Sequence, residues 1–188
     1  MPRIDRVPAA RAGLLARLCY RFSRRRYGAV LDPVAVTAHH PKLLLAAGLG
    51  ELAVQRAARV LPASVRELAV YRTATRIGCS WCVDFGTMLQ RDEGLDVERL
   101  REIEDHRTSP KFTELDRLVI EYADAMTDLP VRVTDEQVAE LDRRLGHRGL
   151  VELTHMIAVE NQRTRFNHAL GLTAQGFTSG EACRAPTP

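Results

Sequence analysis

The chain has 188 residues, 45% of them hydrophobic and 27% charged, with a formal net charge of +3; that is enough for one domain with a single core, with or without arms, in the ordinary globular balance. Residues 1–31 hold eight Arg against one Asp, a local charge of +7, and the remainder holds 19 basic against 23 acidic residues, or −4. The basic character therefore belongs to an N-terminal arm with no recognisable motif behind it, which argues against a nucleic-acid-binding surface.

Two of the four cysteines, Cys19 and Cys183, are isolated, so this is no disulfide framework of the secreted kind. No apolar run approaches the ~18 residues that span a bilayer. The N-terminus shows no clean signal peptide, because its apolar stretch around Leu14-Leu15-Ala16 is cut by Arg17 and Arg21. The expected location is the cytoplasm. Scarce aromatics and abundant Ala, Leu and Val lean the chain towards helix.

In chain order, residues 11–27 put Leu14, Leu15, Leu18, Cys19 and Phe22 at helical spacing among arginines. Such a basic amphipathic helix docks on the body or on a neighbouring subunit; an anionic membrane surface is the alternative partner. A Leu- and Ala-rich helix follows over 41–59. Pro62 and Ser64 open another, which stops near Gly78. A third starts at Cys79 or Ser80 and runs to Gln90, and a short one covers Val97–His106. Residues 113–128 carry the cleanest periodicity, in Leu115, Leu118, Val119, Tyr122, Ala123 and Met126. Thr134-x-x-Gln137 is a capping box that opens a sixth helix, interrupted around Gly146–Gly149 and followed by a long helix to Leu170. No strand alternation is present. The expected organisation is a basic arm or helix over 1–39, a helical domain over 40–171 and an extended tail over 172–188.

The chemistry centres on Gly78-Cys79-Ser80-Trp81-Cys82-Val83-Asp84. A structural zinc needs about four ligands, and His39-His40 and His155 are not spaced as a second half of such a site. A c-type haem needs His directly after the second Cys, where this chain has Val83. Cysteines three apart near a helix N-terminus are within disulfide reach, and the dipole and free N–H groups there stabilise a thiolate. The bland alternative is two small buried residues. Glu67 stands twelve residues before Cys79 and suits a proton acceptor for a thiol. Equally, Ser64-x-x-Glu67 can be a capping box that closes the helix start.

Glu67-Leu-Ala-Val-Tyr-Arg72 followed by Gly78-Cys-Ser-Trp-Cys-Val-Asp84 resembles the core of the alkylhydroperoxidase-D-like, carboxymuconolactone decarboxylase family. The likeness covers about residues 40–170. It implies an all-α, AhpD-like bundle of about six to eight helices that assembles into a homo-oligomer, as dimer, trimer or hexamer. By the same resemblance, Cys82 is the peroxide-attacking thiol, Cys79 the resolving thiol and Glu67 the base. The family's histidine, four residues after the second cysteine, is replaced by Gly86. A glycine leaves room for water between Glu67 and the pair, or for a ligand. The decarboxylase branch generally lacks the cysteine pair.

The resulting expectation is a CxxC thiol–disulfide oxidoreductase that reduces hydroperoxides, recycled by an external dithiol, with no metal, haem or nucleotide cofactor. The competitors are an enzyme of the same fold acting on a small organic acid or lactone, and a non-enzymatic helical oligomer whose basic arm binds a membrane or a partner. Among the remaining residues, His155 is expected to face the core, and His106, His147 and His168 to sit at helix ends or on the surface. Arg72 needs an acidic partner if buried, with Asp84 or Glu121 as candidates. Trp81 either shields the pair or is plain core, and Asp84 is expected to be solvated or interfacial.

Overall fold

The computed structural model describes residues 2–178, all helix and connecting loop with no strand among them. The elements in order are α1 (Leu14–Tyr27), α2 (Asp32–Thr37), α3 (Pro41–Ala57), α4 (Ala63–Ile77), α5 (Ser80–Asp92), a 3-10 helix (Glu98–Asp105), α6 (Glu114–Thr127) and α7 (Asp135–Ala169). They divide into two compact units, one of residues 2–57 with Leu170–Leu172, the other of Ala58–Ala169 with residues 173–178.

In the first unit α1 turns Ala16, Tyr20 and Ser23 inward, spaced four and three apart as one helical face requires. They meet Ala12, Ala35, Ala38 and Leu44 in a small core. The Tyr20 hydroxyl donates to the Val7 carbonyl at 2.7 Å. The Ser23 hydroxyl accepts from the Leu31 N–H at 3.0 Å and donates to the Ala29 carbonyl at 2.7 Å, tying down the turn into α2. The leucines and Phe22 of the sequence periodicity lie on the other side: Leu14 is 77% exposed, Leu18 56% and Phe22 55%. Helix α2, absent from the sequence reading, has only six residues. Pro33 is pre-organised for its first turn, but a helix so short carries no apolar period.

The second unit is built around α4, which packs against α5, α6 and α7. Its buried residues, Val65, Leu68, Ala69 and the run Tyr71–Thr75, occupy most of its circumference, as a helix covered on several sides must. The core joins Leu61, Val65 and Ala69 to Val119, Tyr122 and Ala123 of α6 and Leu141, Leu153 and Ile157 of α7. Full burial of side chains of this size stabilises by roughly 2 kcal/mol each. Helix α6 begins at a complete Thr113–Asp116 capping box. The Thr134–Gln137 box also forms, with reciprocal bonds of 3.2 and 3.3 Å. The interruption expected at Gly146–Gly149 is a kink at Gly146, whose φ of 68° suits glycine. The Glu152 carboxylate accepts from the Val60 and Leu61 N–H groups at 2.8 and 3.1 Å, anchoring the entry to α4.

Several single-residue expectations are corrected. Arg72 is buried, and its guanidinium meets neither Asp84 nor Glu121. It forms a two-pronged pair with Asp124 at 2.6 and 2.9 Å and a third bond to Glu104 at 2.7 Å. His155 is exposed while its neighbours Leu153, Met156 and Ile157 are buried, because it falls on the outer face of α7. His106 does close the 3-10 helix, but it is buried and its Nδ1 lies 2.9 Å from the Ile103 carbonyl. His147 and His168 are exposed, as expected.

Candidate functional site: the Cys79–Cys82 pair

Local backbone rules bring the cysteines together. Helix α4 ends at Gly78, whose φ of 83° is left-handed. The Cys79 N–H reaches back to the Ala74 carbonyl at 3.0 Å and the Gly78 N–H to the Thr75 carbonyl at 3.1 Å, the paired bonds of a Schellman stop. Cys79 is then the N-cap of α5, and its sulfur accepts from the Cys82 N–H at 3.2 Å. One turn into α5, Cys82 faces it; the Cα atoms are 5.3 Å apart and the sulfurs form a disulfide. The thiol positions thus lie where unpaired N–H groups and the positive end of the helix favour negative sulfur. Both residues are buried, at 2% and 6% exposure.

Glu67 projects from α4 with its side chain 15% exposed. Its carboxylate accepts from the Arg66 Nε at 2.8 Å. Burial pushes its carboxyl above the usual carboxylate range, and Glu93 adds to this; Arg66 and Arg163 act in the opposite sense. The Ser64–Glu67 capping box does not form. Helix α4 starts from Pro62, with no side-chain cap, and Ser64 is already inside it. Glu67 is therefore not occupied in closing the helix. A second tie joins the two helices, since the Gln90 side-chain amide of α5 reaches the Glu67 carbonyl at 3.5 Å. At Gly86, a Cβ would meet only the edge of the Tyr71 ring, at 4.0 Å, an ordinary contact. Glycine is therefore not forced there by crowding, and a side chain would fit at its Cβ.

Two participants escaped the sequence reading. Asn167, near the end of α7, donates from Nδ2 to the Cys82 sulfur at 3.3 Å. The segment after α7 also folds onto α5. Asp84 is buried, and its carboxylate accepts from the backbone N–H groups of Gln175, Gly176, Phe177 and Thr178 and from the Thr178 hydroxyl, at 2.7 to 3.1 Å. Asp84 is thus an anchor for that segment and is neither solvated nor interfacial. The Trp81 indole N–H donates to the Gln175 side chain at 2.7 Å, and its ring stacks on Phe85, which meets Phe177 edge-on. Trp81 is thereby held over the first turn of α5. Cys183 and the rest of the expected tail lie outside the described residues. These contacts join residues 85 to 94 positions apart in sequence, so no local motif announces them.

Among the described residues no group of three or more His, Cys, Asp or Glu side chains is placed to hold a metal ion, and no helix is long and apolar enough to cross a membrane.

Known proteins bear on this arrangement in three ways. The pattern of the carboxymuconolactone decarboxylase family matches residues 40–125, the stretch that holds Glu67 and both cysteines. The uncharacterized protein YnjA of Escherichia coli K12 is 31% identical over 186 residues, spanning 99% of this chain and 97% of its own. Among solved structures, the debrominase Bmp8, in a cysteine-to-alanine variant bound to 2,3,4-tribromopyrrole, superposes with a TM-score of 0.81 at 16% identity, over 95% of this chain and 94% of its own. The AhpD core of an uncharacterized peroxidase-related protein from Ralstonia eutropha JMP134 gives 0.69 at 16% identity, over 99% and 98%. With its helical architecture, its cysteine pair and a full-length relative in agreement, this chain belongs to the carboxymuconolactone decarboxylase family and has the AhpD-like fold.

Proposed function

We propose that the protein is a dithiol oxidoreductase that reduces hydroperoxides. The observation that carries this reading is the disulfide at the N-terminus of α5, with Cys79 as its cap and an outside amide on Cys82. In the reduced state the Cys82 thiolate attacks the terminal peroxide oxygen. The O–O bond breaks, a proton goes to the departing alkoxide to give the alcohol, and Cys82 becomes a sulfenic acid. The Cys79 thiol then attacks the Cys82 sulfur, releasing water and restoring the disulfide. An external dithiol supplies two electrons and two protons to return both thiols, becoming a disulfide itself.

Glu67 is the proton carrier in this reading. Burial raises its carboxyl above the usual carboxylate range, the direction that suits a group alternating between acid and base. In this reading water in the space that a Gly86 side chain would fill carries the proton between Glu67 and the pair. The test is hydroperoxide consumption driven by dihydrolipoamide. The native chain is expected to turn over, and Cys82→Ser to fall to the rate without protein. Equal rates for the two would end the peroxidase reading.

A second reading is favoured by the tribromopyrrole-bound neighbour and by the aromatic cluster that Phe85 and Phe177 form with Trp81, the residue between Ser80 and Cys82 in the first turn of α5. The same dithiol could reduce a halogenated aromatic ring: the two thiols give the disulfide, two electrons and two protons, the ring takes the electrons and one proton in place of its halogen, and halide and the second proton are released. Bromide release from a bromopyrrole, dependent on Cys82 and without peroxide turnover, would select it.

A further inference from the structure

We propose that Asn167 is a positioning residue of the thiol chemistry, whose buried amide directs the negative charge of the reduced pair onto Cys82 rather than Cys79. This deepens the function proposed above and rests on its premise that the pair cycles between disulfide and dithiol.

The argument starts from a competition. Cys79 caps α5, and its sulfur already receives the Cys82 backbone N–H at 3.2 Å. The helix N-terminus and its dipole thus favour the thiolate on Cys79. That is the wrong sulfur for an attack by Cys82. The opposing influence is the Asn167 Nδ2, 3.3 Å from the Cys82 sulfur and buried with it. Asn167 is 2% exposed, so water does not compete for this bond. A hydrogen bond to an ionised acceptor is about twice as strong as one to a neutral acceptor. The contact seen on the disulfide therefore strengthens when Cys82 becomes a thiolate, and it offers Cys79 nothing. Helix α7 holds the amide in place. Thr164, one turn earlier and fully buried, shares the same inward face, its hydroxyl bonded within the helix to the Glu160 carbonyl at 2.7 Å. The amide orientation follows from the partner, because a thiolate is an acceptor and only the NH2 end of asparagine donates.

The experiment uses the full chain, reduced with excess dithiol and freed of it, then pulsed with iodoacetamide across a pH series. Peptide mass mapping reports which cysteine is alkylated first, and ultraviolet thiolate absorbance reports the midpoint of its ionisation. The native chain is expected to alkylate at Cys82 first. Asn167→Leu keeps the size and removes the donor without adding charge, and Asn167→Ala removes the whole amide. In either folded variant the Cys82-to-Cys79 alkylation ratio should fall about tenfold, the scale of one hydrogen bond to a charged group, and the midpoint should rise. First alkylation at Cys79 in the native chain, or an unchanged ratio in a folded variant, overturns the proposal. The native measurement decides even if both variants misfold. No peroxide is involved, so a chain without peroxide turnover that still alkylates at Cys82 loses the peroxidase reading and keeps this one.

Discussion

The two units use similar amphipathic helices and end in different states. In the second, Leu68, Ala69, Val119, Ile120, Ala123, Leu153 and Ile157 are all completely buried, because α4, α6 and α7 present their apolar faces to one another. In the first, the core is largely alanine with Tyr20 and Leu44, while Leu14, Leu18 and Phe22 of α1 and Leu43, Leu45 and Leu49 of α3 remain exposed. Each buried CH2 contributes roughly 0.8 kcal/mol, so a core of alanines leaves most of the available hydrophobic stabilisation outside. The lesson is that periodicity announces an apolar face without saying what covers it. The second unit covers most of its apolar faces, with Leu129, Val131, Val151 and Phe166 among those left exposed. The α1 stripe, flanked by Arg17, Arg21 and Arg25, is left exposed, and we propose a second copy of this chain as its cover.

The largest effect should come from the interior of the second unit. Arg72→Ala takes the guanidinium from Asp124, whose side chain is 22% exposed and so partly hydrated, and should lower stability by about 1–3 kcal/mol, less than the cost of breaking a fully buried pair. Urea unfolding measures it. A loss under about 0.5 kcal/mol, the range of ordinary surface changes, would mean that the second unit does not depend on this pair.

Leu18→Asp should act the other way round. The stability of the isolated chain should change by less than about 0.5 kcal/mol, because the side chain is already in solvent. The assembly measured by light scattering should become smaller. An unchanged mass would remove the stripe from the oligomer contact and turn attention to anionic vesicles, where the flanking arginines would matter.

The smallest effect concerns Glu67. Burial raises its carboxyl above its unfolded value, so the charged form is disfavoured in the folded chain. Its protonation adds relative stability that is present at low pH and lost as pH rises through the raised range. Glu67→Gln should therefore increase the melting temperature by a few degrees at neutral pH, less whatever Arg66 loses. The gain should vanish below the ordinary carboxylate range. A gain equal at both ends of the pH series would assign the effect to packing rather than ionisation.

Helix existence was legible along most of the chain. Capping chemistry at Thr134, the glycine stop at Gly78 and the period of α6 are local, and local rules act before any tertiary contact forms. The short α2 was not legible, and neither was the 3-10 character of Glu98–Asp105, since neither leaves a periodic trace. The same division holds at the site. The sequence alone determined that Cys79 and Cys82 would meet, because a left-handed glycine followed by a helix start leaves two cysteines one turn apart. It also marked Glu67 as a candidate base through a family pattern. Only the tertiary structure decided that the Ser64 box would not form, that Arg72 would choose Asp124 and Glu104, that Asp84 would be buried under residues 175–178, and that Asn167 would reach Cys82. Those outcomes depend on which helix faces come together across 32 to 94 residues. A side chain's chemistry states what partner it needs; packing selects which distant residue supplies it.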